Sequence, residues 1–293
     1  MKTALVLCVA LLLAGCREPV PPGSFSIESN QLLTGWPHTF DVYRVTGATQ
    51  AIVFLHGGSG TKEYSAAQLG IRAGISRAKA GPNAGVLVDY GMTAVFPQGQ
   101  GEVPTWSNYV MDSGVDDVAF LRDLVAYLKA SGFQRVYVAG HSNGGMMASR
   151  LWCEAPELFD GYVAIAGPPS EHFAFTPCAP ATAKPLLSIV GSMDDVLQNQ
   201  DWNAATWTIA PRLTRKGFVD PDLIAGPRFF ADCVRLSCGG VVTTTTSGSM
   251  TMWYACDGRV RLVRIEGAQH SIESLQEHAG TDLLGMVLEF AVK

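Results

Sequence analysis

Charge is scarce in this chain. Only 16% of its 293 residues are Asp, Glu, Lys or Arg, and nowhere do more than two basic residues stand together. Holding a phosphate backbone needs clustered Lys and Arg, whereas here 21 basic residues face 26 acidic ones for a net charge of -5. Nucleic acid is therefore excluded as a partner. No Cys-x-x-Cys stands with a matching histidine pair, which removes the common zinc sites, and no metal or organic cofactor is expected. The apolar run at the amino terminus, Ala4 to Ala14, is too short to cross a hydrocarbon core of about 30 Å. No internal repeat is visible. What remains is 47% hydrophobic with 31 Gly and 16 Pro, the composition of a globular chain with many turns.

The amino terminus reads as an address. Lys2 followed by the short apolar run has the form of a secretory signal. The run closes in Leu13-Ala14-Gly15-Cys16, which resembles a bacterial lipobox. Residues 1–15 are then the signal peptide, and Cys16 carries diacylglycerol on its sulfur. Each buried CH₂ contributes about 0.8 kcal/mol, so a multiply acylated Cys16 holds the protein on a bacterial membrane, on its periplasmic or cell-surface side. Residues 16–34, with Pro19, Pro21, Pro22 and Gly23, read as a tether, and residues 35–293 as a single catalytic domain. Export permits disulfides. Once Cys8 leaves with the signal and Cys16 becomes the anchor, Cys153, Cys178, Cys233, Cys238 and Cys256 remain, an odd number.

Along the body, short apolar runs alternate with amphipathic stretches. Ala51–Leu55, Thr93–Phe96, Val136–Ala139, Tyr162–Ile165 and Leu186–Val190 are bounded by Gly, Pro or polar residues. Continuous runs this short suit strands buried on both faces of a parallel sheet. Asp117–Ala130 places Val118, Leu121, Leu124, Val125 and Leu128 on one helical face and ends before Gly132. Asn143–Ala155 and Ser274–Phe290 are two further helices. Thr243–Thr246 is an exposed strand opening a hairpin towards Trp253. The alternation predicts an α/β fold of three layers around a mostly parallel central sheet.

Chemistry enters at Gly140-His141-Ser142-Asn143-Gly144, a G-x-S-x-G between a strand and a helix. That context marks a nucleophile elbow, in which the serine sits on a strained turn and the glycines remove colliding side chains. A serine hydroxyl alone is a poor nucleophile and needs a histidine base oriented by a carboxylate. Of the histidines after Ser142, His270 lies in the loop following the strand Arg261–Ile265, where the base belongs. His278 falls in a helical pattern, and His172 precedes any suitable acid. For the acid, Asp194 follows the strand ending at Val190, with Asp195 in reserve. His56-Gly57-Gly58 leaves a strand in the position of an oxyanion loop, so the amides of Gly58 and Asn143 are the expected oxyanion donors. His56 itself is expected to shape that loop.

With these residues placed, the sequence resembles the extracellular polyhydroxybutyrate depolymerase and feruloyl/acetylxylan esterase group of α/β-hydrolases. The resemblance rests on Gly140–Met147, Cys153–Phe159, Val163–Gly167, Asp116–Leu121, Gly191–Asp194 and Gly267–His270. It implies Ser142, Asp194 and His270 as the triad, and Cys153–Cys178 and Cys233–Cys256 as disulfides, leaving Cys238 odd. It also sets Trp106 near the acyl-binding cleft; Trp106, Ser59 and His141 are the candidate substrate contacts, with Trp202, Trp207 and Trp253 flanking the site. Ser271-Ile272-Glu273-Ser274 stands where the group often has an aromatic residue and Pro-Gly, a departure that bears on the substrate.

The expected activity is hydrolysis of a polymeric or aromatic carboxylic ester by a lipid-anchored, exported monomer. A peptidase of the same fold and a catalytically silent binding lipoprotein are the alternatives. The anchor has its own test. In bacteria fed labelled palmitate, the natural chain should take up label and Cys16→Ala should not. Equal labelling of the two, or none, would remove the anchor.

Overall fold

In a computed structural model, the structure describes residues 24–76, 78–167, 172, 184–194, 196 and 243–293. The stretch expected to be a signal, and Cys16, lie outside these residues. Every residue of the strands Met92–Pro97 and Tyr162–Ile165 is buried, as continuous apolar runs require when both faces of a sheet are covered. They belong to a sheet of ten described strands in the order β1-β2-β4-β3-β5-β6-β7-β10-β9-β8. These are β1 Phe25–Leu32, β2 Thr39–Val45, β3 Gln50–Leu55, β4 Met92–Pro97, β5 Arg135–His141, β6 Tyr162–Ile165, β7 Leu186–Gly191, β8 Thr243–Ser247, β9 Met250–Ala255 and β10 Val260–Ile265. The inner strands from β4 to β10 run parallel, while β1, β2, β8 and β9 flank them antiparallel.

The strand period of two divides the core into two slabs. Val53, Leu55, Val136 and Val138 point to the side covered by α3 (Asp117–Ala130) and α4 (Asn143–Glu154), against Leu121, Leu124, Met147 and Leu151. Ile52, Phe54, Tyr137 and Ala139 point to the other side. There α1 (Lys62–Gln68), α2 (Ala84–Asp89), α5 (Ile272–Ala279) and α6 (Leu283–Val292) supply Ala66, Leu87, Leu275, Leu284 and Leu288. Fully burying each such Leu or Val contributes about 1.5–3 kcal/mol. The three-layer α/β expectation holds, and α3 starts as its sequence suggests, with the Asp116 carboxylate accepting the Ala119 N–H at 3.0 Å.

Three expectations need correction. The helix read over Ser274–Phe290 is two helices. Gly280 closes α5 in the left-handed region at φ 64°, and the Asp282 carboxylate then accepts the amides of Leu284 and Gly285 to open α6. The tether read over 16–34 is also too long, because Phe25–Leu32 is the edge strand β1 paired with β2. Phe25 lies against Tyr43 with ring centroids 6.1 Å apart, and Ile27 packs on the same slab. Burial on one face only left β1 without a continuous apolar run. The Thr243 strand and its hairpin to β9 are as read, with Thr244 opposite Trp253. Trp253, however, is buried in the core rather than flanking a site; Trp202 and Trp207 lie outside the described residues.

Backbones come close together where α4 meets β3. A β-carbon on Gly144 would sit 2.3 Å from the Leu55 carbonyl oxygen. Gly144→Ala should therefore destabilise the protein by at least about 2 kcal/mol. Gly85→Ala, in open space within α2, should be neutral or stabilising by up to about 1 kcal/mol. Urea unfolding of both variants checks the contrast, and equal midpoints would contradict it.

Candidate active site

Three of the parallel strands end on one rim of the sheet, and each delivers one polar side chain. Ser142 stands between the end of β5 and the start of α4, with φ 55° and ψ −120°. This is a conformation that residues with a β-carbon seldom adopt. Its amide donates to the Ile165 carbonyl at 2.8 Å, and its own carbonyl accepts from Met146 N–H at 2.9 Å. Glycine on both sides is what lets the turn close. A β-carbon on Gly140 would fall 2.2 Å from the Gly144 carbonyl oxygen.

His270 follows β10, and its Nε2 lies 2.8 Å from Ser142 Oγ. Its Nδ1 lies 2.7 Å from Oδ2 of Asp194, a fully buried residue after β7. Asp194 Oδ1 accepts the Val196 amide at 3.1 Å. The structure thus brings Ser142, His270 and Asp194 into one chain of contacts; Asp195 lies outside the described residues. With Nδ1–H donated to the carboxylate, Nε2 is left as the acceptor for the serine hydroxyl. His278 is exposed on α5, within 2.9 Å of the Ser274 carbonyl oxygen, and His172 stacks on Tyr109 with centroids 4.0 Å apart.

The loop after β3 meets the first turn of α4. A β-carbon on Gly58 would come within 3.7 Å of Asn143 Cβ, so the Gly58 and Asn143 segments abut beside Ser142. The Asn143 amide sits at the first position of α4, where helical geometry supplies no acceptor. Ser59 is exposed, at φ 62°, with its amide donated to the Pro104 carbonyl at 2.8 Å. His56 is buried under the loop. Its Nδ1–H donates to the Gly57 carbonyl at 2.7 Å, and Nε2 accepts the Gly99 amide at 2.8 Å. Burial pushes its imidazole below the ordinary histidine range, so it stays neutral and shapes the loop as the sequence suggested.

Two of the candidate substrate contacts take other work. Trp106 is fully buried, with its indole N–H donated to the His56 carbonyl at 3.1 Å. It is a strut beneath the loop rather than a wall of a cleft. His141 is half-buried and directs Nε2 at the His270 carbonyl oxygen, 2.8 Å away.

A set of residues that the sequence reading passed over braces the start of α4. The Asn143 side chain accepts from Trp106 N–H at 2.8 Å and donates to the Trp106 carbonyl at 3.1 Å. Asn108 Nδ2 donates to the Asn143 carbonyl at 3.0 Å. Next to Trp106, the Ser107 amide donates to buried Asp117 at 2.7 Å, as does Ser113 Oγ at 2.6 Å. The other oxygen of Asp117 lies 3.0 Å from His38 Nε2. The only local signal was Asp116-Asp117 at the start of a helix. Cys153 and Cys256 are each half of a disulfide; Cys178, Cys233 and Cys238 lie outside the described residues.

Comparison with known proteins places this geometry in context. A family model described as the alpha/beta hydrolase family matches residues 52–283. Feruloyl esterase B of Piromyces equi is 29% identical over 133 residues, which is 43% of this chain and 23% of that protein. The putative esterase NocK of Nocardia uniformis subsp. tsuyamanensis is 40% identical over 82 residues, 27% of this chain and 23% of that protein. The chain thus spans less than a quarter of the length of these curated relatives. Among solved structures, an acetyl xylan esterase from Aspergillus awamori superposes with TM-score 0.56 at 14% identity, covering 88% of this chain and 99% of that one. An S-formylglutathione hydrolase from Agrobacterium tumefaciens gives TM-score 0.55 at 14% identity, over 93% and 96% of the two chains. At such identities the likeness is one of fold.

The Asn143 side chain offers a direct check on the site's architecture. Asn143→Ala would strip partners from the buried N–H and C=O of Trp106, at a cost of about 2–3 kcal/mol. Denaturant unfolding should register that loss, and an unchanged midpoint would show that the pair does not brace the loop.

Proposed function

Since the chain belongs to the alpha/beta hydrolase family, we propose that it is a serine hydrolase of carboxylic esters, exported and lipid-anchored. One observation carries the catalytic part of this reading: the unbroken contact chain Ser142–His270–Asp194, with links of 2.8 and 2.7 Å. The peptidase and binding-protein readings have no comparable observation of their own. The names of two similar proteins, a feruloyl esterase and an acetyl xylan esterase, support a polymeric or aromatic ester as substrate. The Leu13-Ala14-Gly15-Cys16 run supports the anchor. The pairings Cys153–Cys178 and Cys233–Cys256 belong to the same proposal.

In this mechanism Ser142 Oγ bonds to the ester carbonyl carbon while its proton passes to His270 Nε2. Charge develops on the carbonyl oxygen, which the Gly58 and Asn143 amides stabilise; each such donor is worth about 2.7–4 kcal/mol in measured enzymes. Asp194 keeps the imidazole in the required tautomer and steadies the imidazolium. Collapse breaks the bond between the carbonyl carbon and the alcohol oxygen, and His270 hands its proton to the departing alkoxide. Water then adds to the acyl-serine, giving its proton to His270. The second collapse releases the carboxylic acid and returns the proton to Ser142 Oγ.

Purified protein should hydrolyse at least one of 4-nitrophenyl acetate, 4-nitrophenyl butyrate, methyl ferulate, acetylated xylan and poly(3-hydroxybutyrate). Ser142→Ala should lose at least about 10³-fold of that activity and resist labelling by a fluorophosphonate probe. Equal rates in both forms would sink the serine mechanism; no hydrolysis and no labelling in the natural protein would favour a binding protein.

A further inference from the structure

The rings of His141 and His270 are neighbours beside Ser142, and the mechanism above uses only His270, while His56 shapes a loop. His141 is left over. It precedes the nucleophile as the last residue of β5, where its backbone is registered against Ile165 of β6. Its Nε2 lies 2.8 Å from the backbone carbonyl oxygen of His270, and the two rings are 5.1 Å apart. No other donor reaches that carbonyl among the described residues. On the opposite side, a β-carbon on Gly57 would stand 3.5 Å from His141 Nδ1, so the ring occupies the corner between the oxyanion loop and the base loop.

We infer that His141 is a positioning residue, which sets the distance between Ser142 and His270 by holding the base through its own backbone. The inference rests on the reading of Ser142 and His270 proposed above. Two links then join neighbouring points: 141 to 270 through the carbonyl, and 142 to 270 through the side chains. Each limits the freedom of the other. Remove the first, and the segment carrying His270 can pivot about its bond to Asp194. A displacement of about 1 Å in such a site can cost about 10²-fold in rate.

The protonation state of His141 fits this work. Burial first, and then the neighbouring His270, pushes its imidazole down to about 4, against a smaller opposing pull from His270's carbonyl, Asp194 and Glu273. It is therefore neutral from mildly acidic pH upwards, with its single proton on Nε2 facing the carbonyl. A cation here would oppose the imidazolium that forms on His270 during reaction.

The test compares the full-length natural protein with His141→Ala and His141→Gln, whose side-chain amide can still donate to the carbonyl. With 4-nitrophenyl butyrate, the Ala variant should lose about 30- to 100-fold in kcat while KM stays within about twofold, and the Gln variant should recover to within about tenfold of the natural rate. The downfield proton resonance of the His270–Asp194 bond should persist in the natural and Gln proteins and broaden in the Ala variant. Thermal unfolding is followed in all three. Full kcat in the Ala variant would overturn the inference alone, as would losses in Ala and Gln that merely track their melting temperatures. A natural protein that neither hydrolyses nor labels at Ser142 would overturn it together with the proposed function.

Discussion

Where α4 begins, its backbone runs against the ends of β3 and β6 with no room for a β-carbon. Gly144 faces the carbonyls of Leu55 and His56, and Gly145 faces the Ile165 carbonyl and the α-carbon of Gly167. This approach forces the chain to turn sharply at Ser142 and to accept a positive φ there, at a cost of about 1–3 kcal/mol. The cost is met nearby. The Ser142 amide is bonded to Ile165, and nine residues of α4, from Asn143 to Trp152, are buried. The strain and the packing are one arrangement: without the buried helix the turn would relax, and without glycine the helix could not come so near.

That same approach brings the loop after β3 beside the helix start, but it does not fix the direction of two backbone N–H groups. Direction comes from a layer of polar bonds below. Asp117 holds Ser107, the Trp106 backbone holds the Asn143 side chain, and the Trp106 indole holds the His56 carbonyl. All of these groups except Ser107 are buried, where an unpaired polar group is costly. Satisfying them together leaves the loop few alternative conformations. Rigidity of this kind lets amides act on developing charge without reorganising during reaction.

The sequence made the sheet legible because burial on both faces produces continuous apolar runs, and β3 to β7 announce themselves in that way. It made Ser142, Asp194 and His270 legible because each sits just past a strand end. Where burial was one-sided or an element short, as in β1, α1 and α2, no run formed and nothing announced the element; in β2, buried on both faces, Asp41 and Arg44 interrupt the run. The long-range polar layer left no local pattern beyond Asp116-Asp117, since His38 and Asp117 are 79 positions apart. Trp106 shows a different limit. A family position near the acyl cleft could be assigned to it, yet the direction of its indole depends on the His56 carbonyl and on a stacked His38 ring, which only the folded chain brings together.

One residue type performs three jobs around Ser142, and the surroundings decide which. His56 has both ring nitrogens committed, one to the Gly57 carbonyl and one to the Gly99 amide, and burial keeps it uncharged. His141 gives its only proton to a carbonyl oxygen and is likewise held neutral by burial. Neither can pick up a proton from serine without losing a bond or placing a charge in a poorly hydrated pocket. His270 differs in having a carboxylate rather than a carbonyl or amide behind it. A positive charge arriving on its ring therefore meets Asp194 at 2.7 Å. What sets His270 apart from the other two histidines thus follows from where the buried Asp194 carboxylate is placed, and β7 places it beside β10, the strand that leads to His270.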